Sequence, residues 1–228
     1  MKTPKQKLKL LCIADLHNYT QSELDKIKKL QYDVCFLLGD IPDEALKEIL
    51  RIVGETPCYE LKEHRYDRNS LKIYAIEGNH DAKGTLEQCG IKCIDRSFLK
   101  INGYRIWGLS GSSRYKYGGY TDNLAMLTQE ESLEVCRTES RRLRKNGGER
   151  KCDILISHDS MYRLFSQDDP AHIGLKGISK FIKRNKVKLH IFGHHHQNTH
   201  VKKHGCDMIC VYRCAVISLP ELTVENIF

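Results

Sequence analysis

Val34-Cys35-Phe36-Leu37-Leu38-Gly39-Asp40 is an unbroken apolar run that ends on a glycine and a carboxylate. A strand with one wet face alternates apolar and polar residues. This run does not, so it reads as a strand buried on both faces. Upstream, Lys7 to Ala14 reads as a first strand and empties into Asp15-Leu16-His17. Ser22, with Asp25 three residues on, is expected to cap a short helix to about Leu30 between these two strands. Downstream, Pro42-Asp43-Glu44 opens a helix whose Ala45, Leu46, Ile49, Leu50 and Val53 recur at helical spacing. Ile73 to Ile76 then forms a third strand, which ends in Gly78-Asn79-His80-Asp81. Strands alternating with helices, with polar groups at the strand ends, indicate a sheet whose loops carry the chemistry at one edge.

The second half repeats the habit. Phe98 to Ile101 and Arg105 to Leu109 flank Asn102-Gly103, a hairpin signal. The loop from Ser110 to Asn123 is rich in Gly, Ser and Tyr and has no periodicity. Thr128 and Glu131 form a second capping box, opening a helix to about Lys145 that Asn146-Gly147-Gly148 closes. Asp153 to Ser157 is a strand delivering His158. A helix from about Leu175 to Asn185 follows, then a strand from Lys188 to Phe192 that delivers Gly193-His194-His195-His196, with further β-structure to Leu219. No repeat, linker or low-complexity tract interrupts the chain, so a single domain over residues 1–228 is expected.

With 40% hydrophobic and 29% charged residues the composition is that of a globular protein, neither disordered nor fibrous. The formal charge of +8 suits an anionic substrate. It is distributed over Lys2 to Lys9, Arg141 to Lys145, Lys183 to Lys188, and Lys202 with Lys203, and is read as a solvated basic surface rather than a nucleic-acid groove. The apolar stretch Leu10 to Ala14 is too short for a signal-peptide core or a membrane span. The ten cysteines are therefore read as reduced thiols of a cytoplasmic protein. Cys206, Cys210 and Cys214 recur every four residues near His204, but without a Cys-x-x-Cys pair they make a poor zinc site.

Asp15-Leu16-His17, Gly39-Asp40, Gly78-Asn79-His80-Asp81, His158 and Gly193-His194-His195-His196 resemble, in order and spacing, the five motifs of the calcineurin-like metallophosphoesterases. The resemblance runs from about Lys9 to about Val211. It implies an α/β (α+β) fold, a four-layer sandwich of two mixed β-sheets flanked by helices. It also implies two divalent metal ions, with Asp40 as the bridge. Asp15, His17 and His196 would complete one site, and Asn79, His158 and His194 the other. Oxygen and imidazole donors without thiolate favour Mn²⁺, Fe or Zn²⁺; the family habit favours Mn²⁺, with Ni²⁺ a further alternative. Such a centre, its ions about 3.5–4 Å apart, acidifies a bridging water into the nucleophile and stabilises the leaving oxygen.

His80 is expected to act as general acid or charge stabiliser. Asp81 either orients a ligand or caps the following helix. His195, between two residues that point at the site, is expected to pack or face solvent; His64 and His190 are expected to be structural, and His200 and His204 have no assigned role. His172 is a candidate for substrate-phosphate contact or for helix entry. Arg114 and Tyr117 of the Gly-rich loop are further candidate substrate contacts. The sequence Ile41-Pro42-Asp43-Glu44 lacks the arginine that follows this motif in the Ser/Thr protein phosphatases. The resemblance is closer to small stand-alone phosphodiesterase-like members, which implies a phosphodiesterase acting on small or nucleotide-like esters. Alternatives are a phosphomonoesterase, a nuclease on RNA or DNA ends, and a metal-bound scaffold without turnover. The expected partner is a phosphoester substrate, a nucleotide or nucleic-acid end included, with no membrane; the oligomeric state stays open.

Overall fold

Alternate residues of the first strand enter different cores. Leu10, Cys12 and Ala14 meet Ile106, Ile154, Ile156 and Ile191 in one apolar layer, while Leu11 and Ile13 meet Leu24, Ile27, Leu46 and Ile49 in another. That is the period of two expected of a strand with both faces covered. The computed structural model describes residues 5–55, 73–118, 122–145, 152–165 and 169–228.

The elements begin with β1 (Leu8–Ala14), α1 (Gln21–Ile27), β2 (Val34–Leu37), α2 (Asp43–Glu55), β3 (Ile73–Ala75), α3 (Thr85–Gln88) and β4 (Lys92–Cys93). The hairpin β5 (Phe98–Ile101) and β6 (Tyr104–Leu109) follows, then β7 (Ser112–Ser113), β8 (Met126–Leu127), α4 (Gln129–Lys145) and β9 (Ile154–Ser157). The chain continues through α5 (Lys176–Asn185), β10 (Leu189–Phe192), β11 (Thr199–Lys203), β12 (Cys206–Cys210), β13 (Arg213–Leu219) and β14 (Thr223–Asn226). Two six-stranded sheets result, ordered β14-β13-β1-β2-β3-β4 and β11-β12-β10-β9-β6-β5, and β7 pairs with β8 apart from them.

One core lies between the sheets. A second packs β1 and β2 under α1 and α2, and a third packs Trp107, Leu155 and Phe192 under Ile178, Phe181 and Ile182 of α5. Helix, sheet, sheet, helix is the expected four-layer sandwich. β1, β2 and β3 are mutually parallel, as are β6, β9, β10 and β12. Parallel strands discharge their loops at a common edge, which is where ligands collect in such sheets.

Several local expectations shift. The first helix is capped by Thr20 rather than Ser22: Thr20 N donates to Glu23 at 2.7 Å and the Thr20 hydroxyl accepts from Glu23 N, and the helix stops at Ile27. Both pairs carry the capping-box spacing, and the charged Glu23, which also meets Arg213 at 3.1 Å, takes the role. Thr128 and Glu131 do cap α4. The Gly- and Tyr-rich loop contains β7, held by β8. Cys206 and Cys210 sit under the helices of the second sheet and Cys214 under those of the first, so they do not converge, and these three are reduced thiols. Asn146-Gly147-Gly148 and His64 fall outside the described residues. Among the described residues no helix is long and apolar enough to cross a membrane.

Candidate metal centre

Three of the five motifs leave their strands in a conformation that L-residues seldom adopt. Asp15 (φ 54°) follows β1, Asp40 (φ 55°) follows β2, and His194 (φ 67°) and His196 (φ 48°) follow β10. Left-handed backbone at non-glycine residues costs on the order of 1–3 kcal/mol each and persists where the surroundings enforce it. Here the enforcement is visible. Asp15 N donates to Gly39 O at 3.1 Å, Leu16 N to Asp40 O at 3.0 Å, and His194 N to Asp15 Oδ2 at 2.8 Å. Convergence of His194 and His196 therefore comes from left-handed turns and not from strand pleating. Glycines permit the close approach: a Cβ on Gly193 would stand 2.7 Å from Asp15 Oδ2, and one on Gly78 would collide with Asp40 Oδ1.

The side chains meet in three overlapping groups whose ligand atoms lie within 4.8 Å of one another. They are Asp15, His17 and His196; His17, Asp40 and His80; and Asp40, His158 and His194. Asp40 Oδ2 is 3.9 Å from His17 Nε2 and 3.4 Å from His158 Nε2, so one buried carboxylate faces two groups. Asn79 Oδ1 joins the third group, 3.0 Å from His158 Nε2. Two imidazoles have one nitrogen already committed: His158 Nδ1 to Leu38 O at 2.7 Å, and His194 Nε2 to Ala171 O at 2.7 Å. Such bonds fix which nitrogen remains for a metal.

These residues fit divalent cations. Asp15 Oδ1 is buried and has no hydrogen-bond partner, though it lies 3.7 Å from His196 Nε2. A buried carboxylate oxygen left this way is costly until a cation meets it. Burial, reinforced by Asp40 and Asp81, pushes the Asp15 carboxyl up to about 7. Burial holds His194 down at about 4 and also lowers His17 and His196, which leaves three imidazoles neutral and able to ligate at pH 7. His158 goes the other way: burial opposes its charge, but Asp40 and Asp15 outweigh that and raise it to about 10.

The family model for calcineurin-like phosphoesterases matches residues 8–198. The chain belongs to that family. No curated protein matches its sequence. Among solved structures, the TT1561 protein of Thermus thermophilus is 14% identical with a TM-score of 0.64, covering 98% of this chain and 100% of its own. A dimetal phosphatase from Danio rerio is 12% identical (TM-score 0.59; 97% and 96% covered). The phosphopantetheinyl hydrolase of Mycobacterium tuberculosis is 14% identical (TM-score 0.58; 90% and 89% covered). Identities this low establish a shared calcineurin-like fold.

The remaining candidates of this calcineurin-like chain are less uniform. His80 is exposed, its ring 5.3 Å from that of His17, and its backbone N donates to Asp40 Oδ1 at 2.8 Å. Asp81 Oδ2 accepts from Gly78 N at 2.7 Å and Asp40 N at 2.9 Å, which pins two motif loops together. His172 lies 4.8 Å from the His194 ring, with Nδ1 2.5 Å from Asp169 Oδ2. Arg114 lines a cavity of about 360 Å³ with Glu77, Asp95, Arg96 and Glu131, and meets Asp122 at 3.3 Å. Tyr117 is 73% exposed, under the Arg114 guanidinium.

Sequence reasoning missed Asp159. It is fully buried, accepts from Ser113 N at 2.9 Å and Ser160 N at 2.7 Å, and faces His195 Nε2 at 3.4 Å. The Ser113 hydroxyl in turn donates to Pro170 O, next to the Ala171 carbonyl that holds His194. The signal was the polar run Ser157-His158-Asp159-Ser160 following an apolar strand. It also missed Tyr212, whose ring lies 5.4 Å from His196.

Proposed function

We propose that this chain is a two-metal phosphodiesterase folded as one domain. The position of the buried Asp40 between two ligand groups carries the reading. Asp15, His17 and His196 would hold one ion with Asp40; Asn79, His158 and His194 would hold the other. Divalent cations held there would supply Lewis acidity to the phosphoryl group and would acidify water toward a nucleophile at neutral pH. Mn²⁺ is the ion we favour for this oxygen and imidazole set.

The protein's own groups do the rest. Leu38 and Ala171 carbonyls hold His158 and His194 in one orientation. Asp81 is a positioning group, since one of its oxygens is already occupied by two backbone amides. His80, exposed beside His17, is the group placed to protonate the departing ester oxygen. Diesters are favoured because Arg114 and Arg213 are each engaged by a carboxylate, Asp122 and Glu23, instead of being free to grip a dianion. The phosphomonoesterase reading has one observation behind it: His172, held by Asp169 against His194, could meet the extra charge. Buried, unpaired thiols agree with a reducing, cytoplasmic setting.

The test compares kcat/KM for an aryl phosphodiester and its matching monoester at fixed Mn²⁺ and neutral pH. Diester preference is expected. A monoester preference of tenfold, about 1.4 kcal/mol in transition-state terms, moves the assignment to phosphatase. Full metal content with no turnover on either ester returns it to a scaffold.

A further inference from the structure

The net charge of this chain has an address. From Pro170 to Cys206 there are eight cations (Lys176, Lys180, Lys183, Arg184, Lys186, Lys188, Lys202, Lys203) and no Asp or Glu. Eight is the whole formal charge of +8, so the other 29 Lys and Arg balance the 29 Asp and Glu. Sequence position alone makes two of these runs look scattered. The fold brings all but one of the eight onto one side of the second sheet: Lys203, opposite Cys206, faces α5, whereas Lys202, opposite Asp207, is on the other face.

α5 buries Ile178, Phe181 and Ile182 and turns Lys176, Lys180, Lys183 and Arg184 outward, with Lys186 and Lys188 exposed just beyond it. Among the described residues none of these six cations has a carboxylate partner. The β11–β12 turn lies alongside: exposed His204 is held below the ordinary imidazole range by slight desolvation and by Lys183 and Lys203. α4 runs beside α5, with Asn185 Nδ2 donating to Ser140 Oγ at 2.9 Å, and its last turn adds Arg142, Arg144 and Lys145. The local acids are spoken for: Asp207 pairs with Lys202 and His200, Glu134 with Arg137, Glu139 with Arg142, and Asp169 with His172.

The other end of this face opens at the metal centre. α5 starts directly after the loop whose Ala171 and His172 touch His194. There Lys176 and Arg163 both lie over the half-buried Tyr162 ring, at 5.2 and 5.6 Å. α5 thus forms a cationic ridge about 15 Å long that leads away from the phosphoryl site and has an aromatic group at the near end.

We propose that this ridge binds a single nucleic-acid strand through its phosphates and leads the strand to the metal centre. Unneutralised cations in a row match a polymer with one charge per repeat, and an aromatic among them matches strand-binding surfaces. Nucleic acid is favoured over a membrane because the apolar side of α5 is buried and the ridge offers no exposed hydrophobic group to insert. The delivery of the strand to hydrolysis rests on the phosphoesterase reading; binding does not.

Fluorescence anisotropy of the Mn²⁺-loaded protein with a labelled 15-nucleotide single strand, RNA and DNA in parallel arms, decides it. Binding is expected at 50 mM salt, weakening steeply as salt rises, with a log–log slope of about −0.7 per phosphate contacted. The K180E/K183E/R184E variant should bind at least tenfold more weakly, with a shallower slope and unchanged hydrolysis of a small aryl phosphodiester. If charge reversal damages folding, seen as lost aryl-ester activity, K180Q/K183Q/R184Q replaces it, with a loss of at least threefold expected. Denaturing gels of the same samples report cleavage separately, so an uncleaved but bound strand supports the ridge and counts only against the hydrolytic reading. Equal affinity of parent and variant overturns the proposal. So does a parent that ignores both strands, or one that binds polyglutamate or phosphatidylserine vesicles as tightly as the oligonucleotide.

Discussion

The two sheets bring unlike halves to one centre. The first supplies its carboxylates, Asp15, Asp40 and Asp81, together with Asn79, His17 and His80; the second supplies only imidazoles, His158, His194 and His196. Two of the three ligand groups draw on both sheets. The crossing extends to the backbone: His158 of the second sheet bonds Leu38 O of the first, and His194 N bonds Asp15 Oδ2. In the proposed centre the charge that would attract a cation is thus on one sheet, and three of the imidazoles that would complete the coordination are on the other. A bound metal would therefore tie the sheets together and stabilise their packing as well as serve the chemistry.

The sharpest way to break that comparison is to neutralise the first sheet's central carboxylate. Asp40→Asn should abolish turnover and lower the content of both ions, whereas His194→Ala should lose one ion and keep most of the other. Metal analysis of the two purified variants separates them. Two full equivalents and near-normal rate in Asp40→Asn would remove Asp40 from the centre.

A smaller, graded effect comes from protons. In the metal-free protein His158 is raised to about 10 and Asp15 to about 7, so His158 is protonated at neutral pH and must release its proton when a cation binds. The sign follows: metal affinity rises with pH, by about tenfold per unit near neutrality for one displaced proton. Below pH 7 the slope steepens as Asp15 also becomes protonated. Competition titrations against a metal indicator at pH 6, 7 and 8 measure this, and a flat profile breaks the account.

The smallest effect tests the support behind the imidazole half. Asp159→Asn should lower kcat by about tenfold, the low end for groups that orient ligands, with KM and metal content little changed. A loss of folded protein would instead make Asp159 a purely structural residue, and an unchanged kcat would remove it from that support.

Much of the fold was legible in the sequence because the candidate ligands end strands, and those strands are continuous apolar runs. Val34 to Leu38 and Asp153 to Ser157 could hardly be anything else. Short elements were not: β4, β7 and β8 have two residues each, too few to show a period. The left-handed turns at Asp15 and His194 were hidden because no local residue marks them; long-range hydrogen bonds impose them. Asp159 was hidden for a related reason. One of its backbone partners, Ser113 N, belongs to a loop that sequence reading left without structure.

β1 holds the first motif, yet it is an interior strand whose other neighbour is β13, paired from Leu8 with Leu219 to Ala14 with Arg213. During synthesis β2 can join one flank early, but the other flank stays open until the ribosome has delivered almost everything between. At roughly 5–20 residues per second, the nascent chain carries that bare apolar edge for tens of seconds, open to chaperones and to its own misfolded copies. β1 emerges ahead of β2 to β13 and is among the last of them to be enclosed.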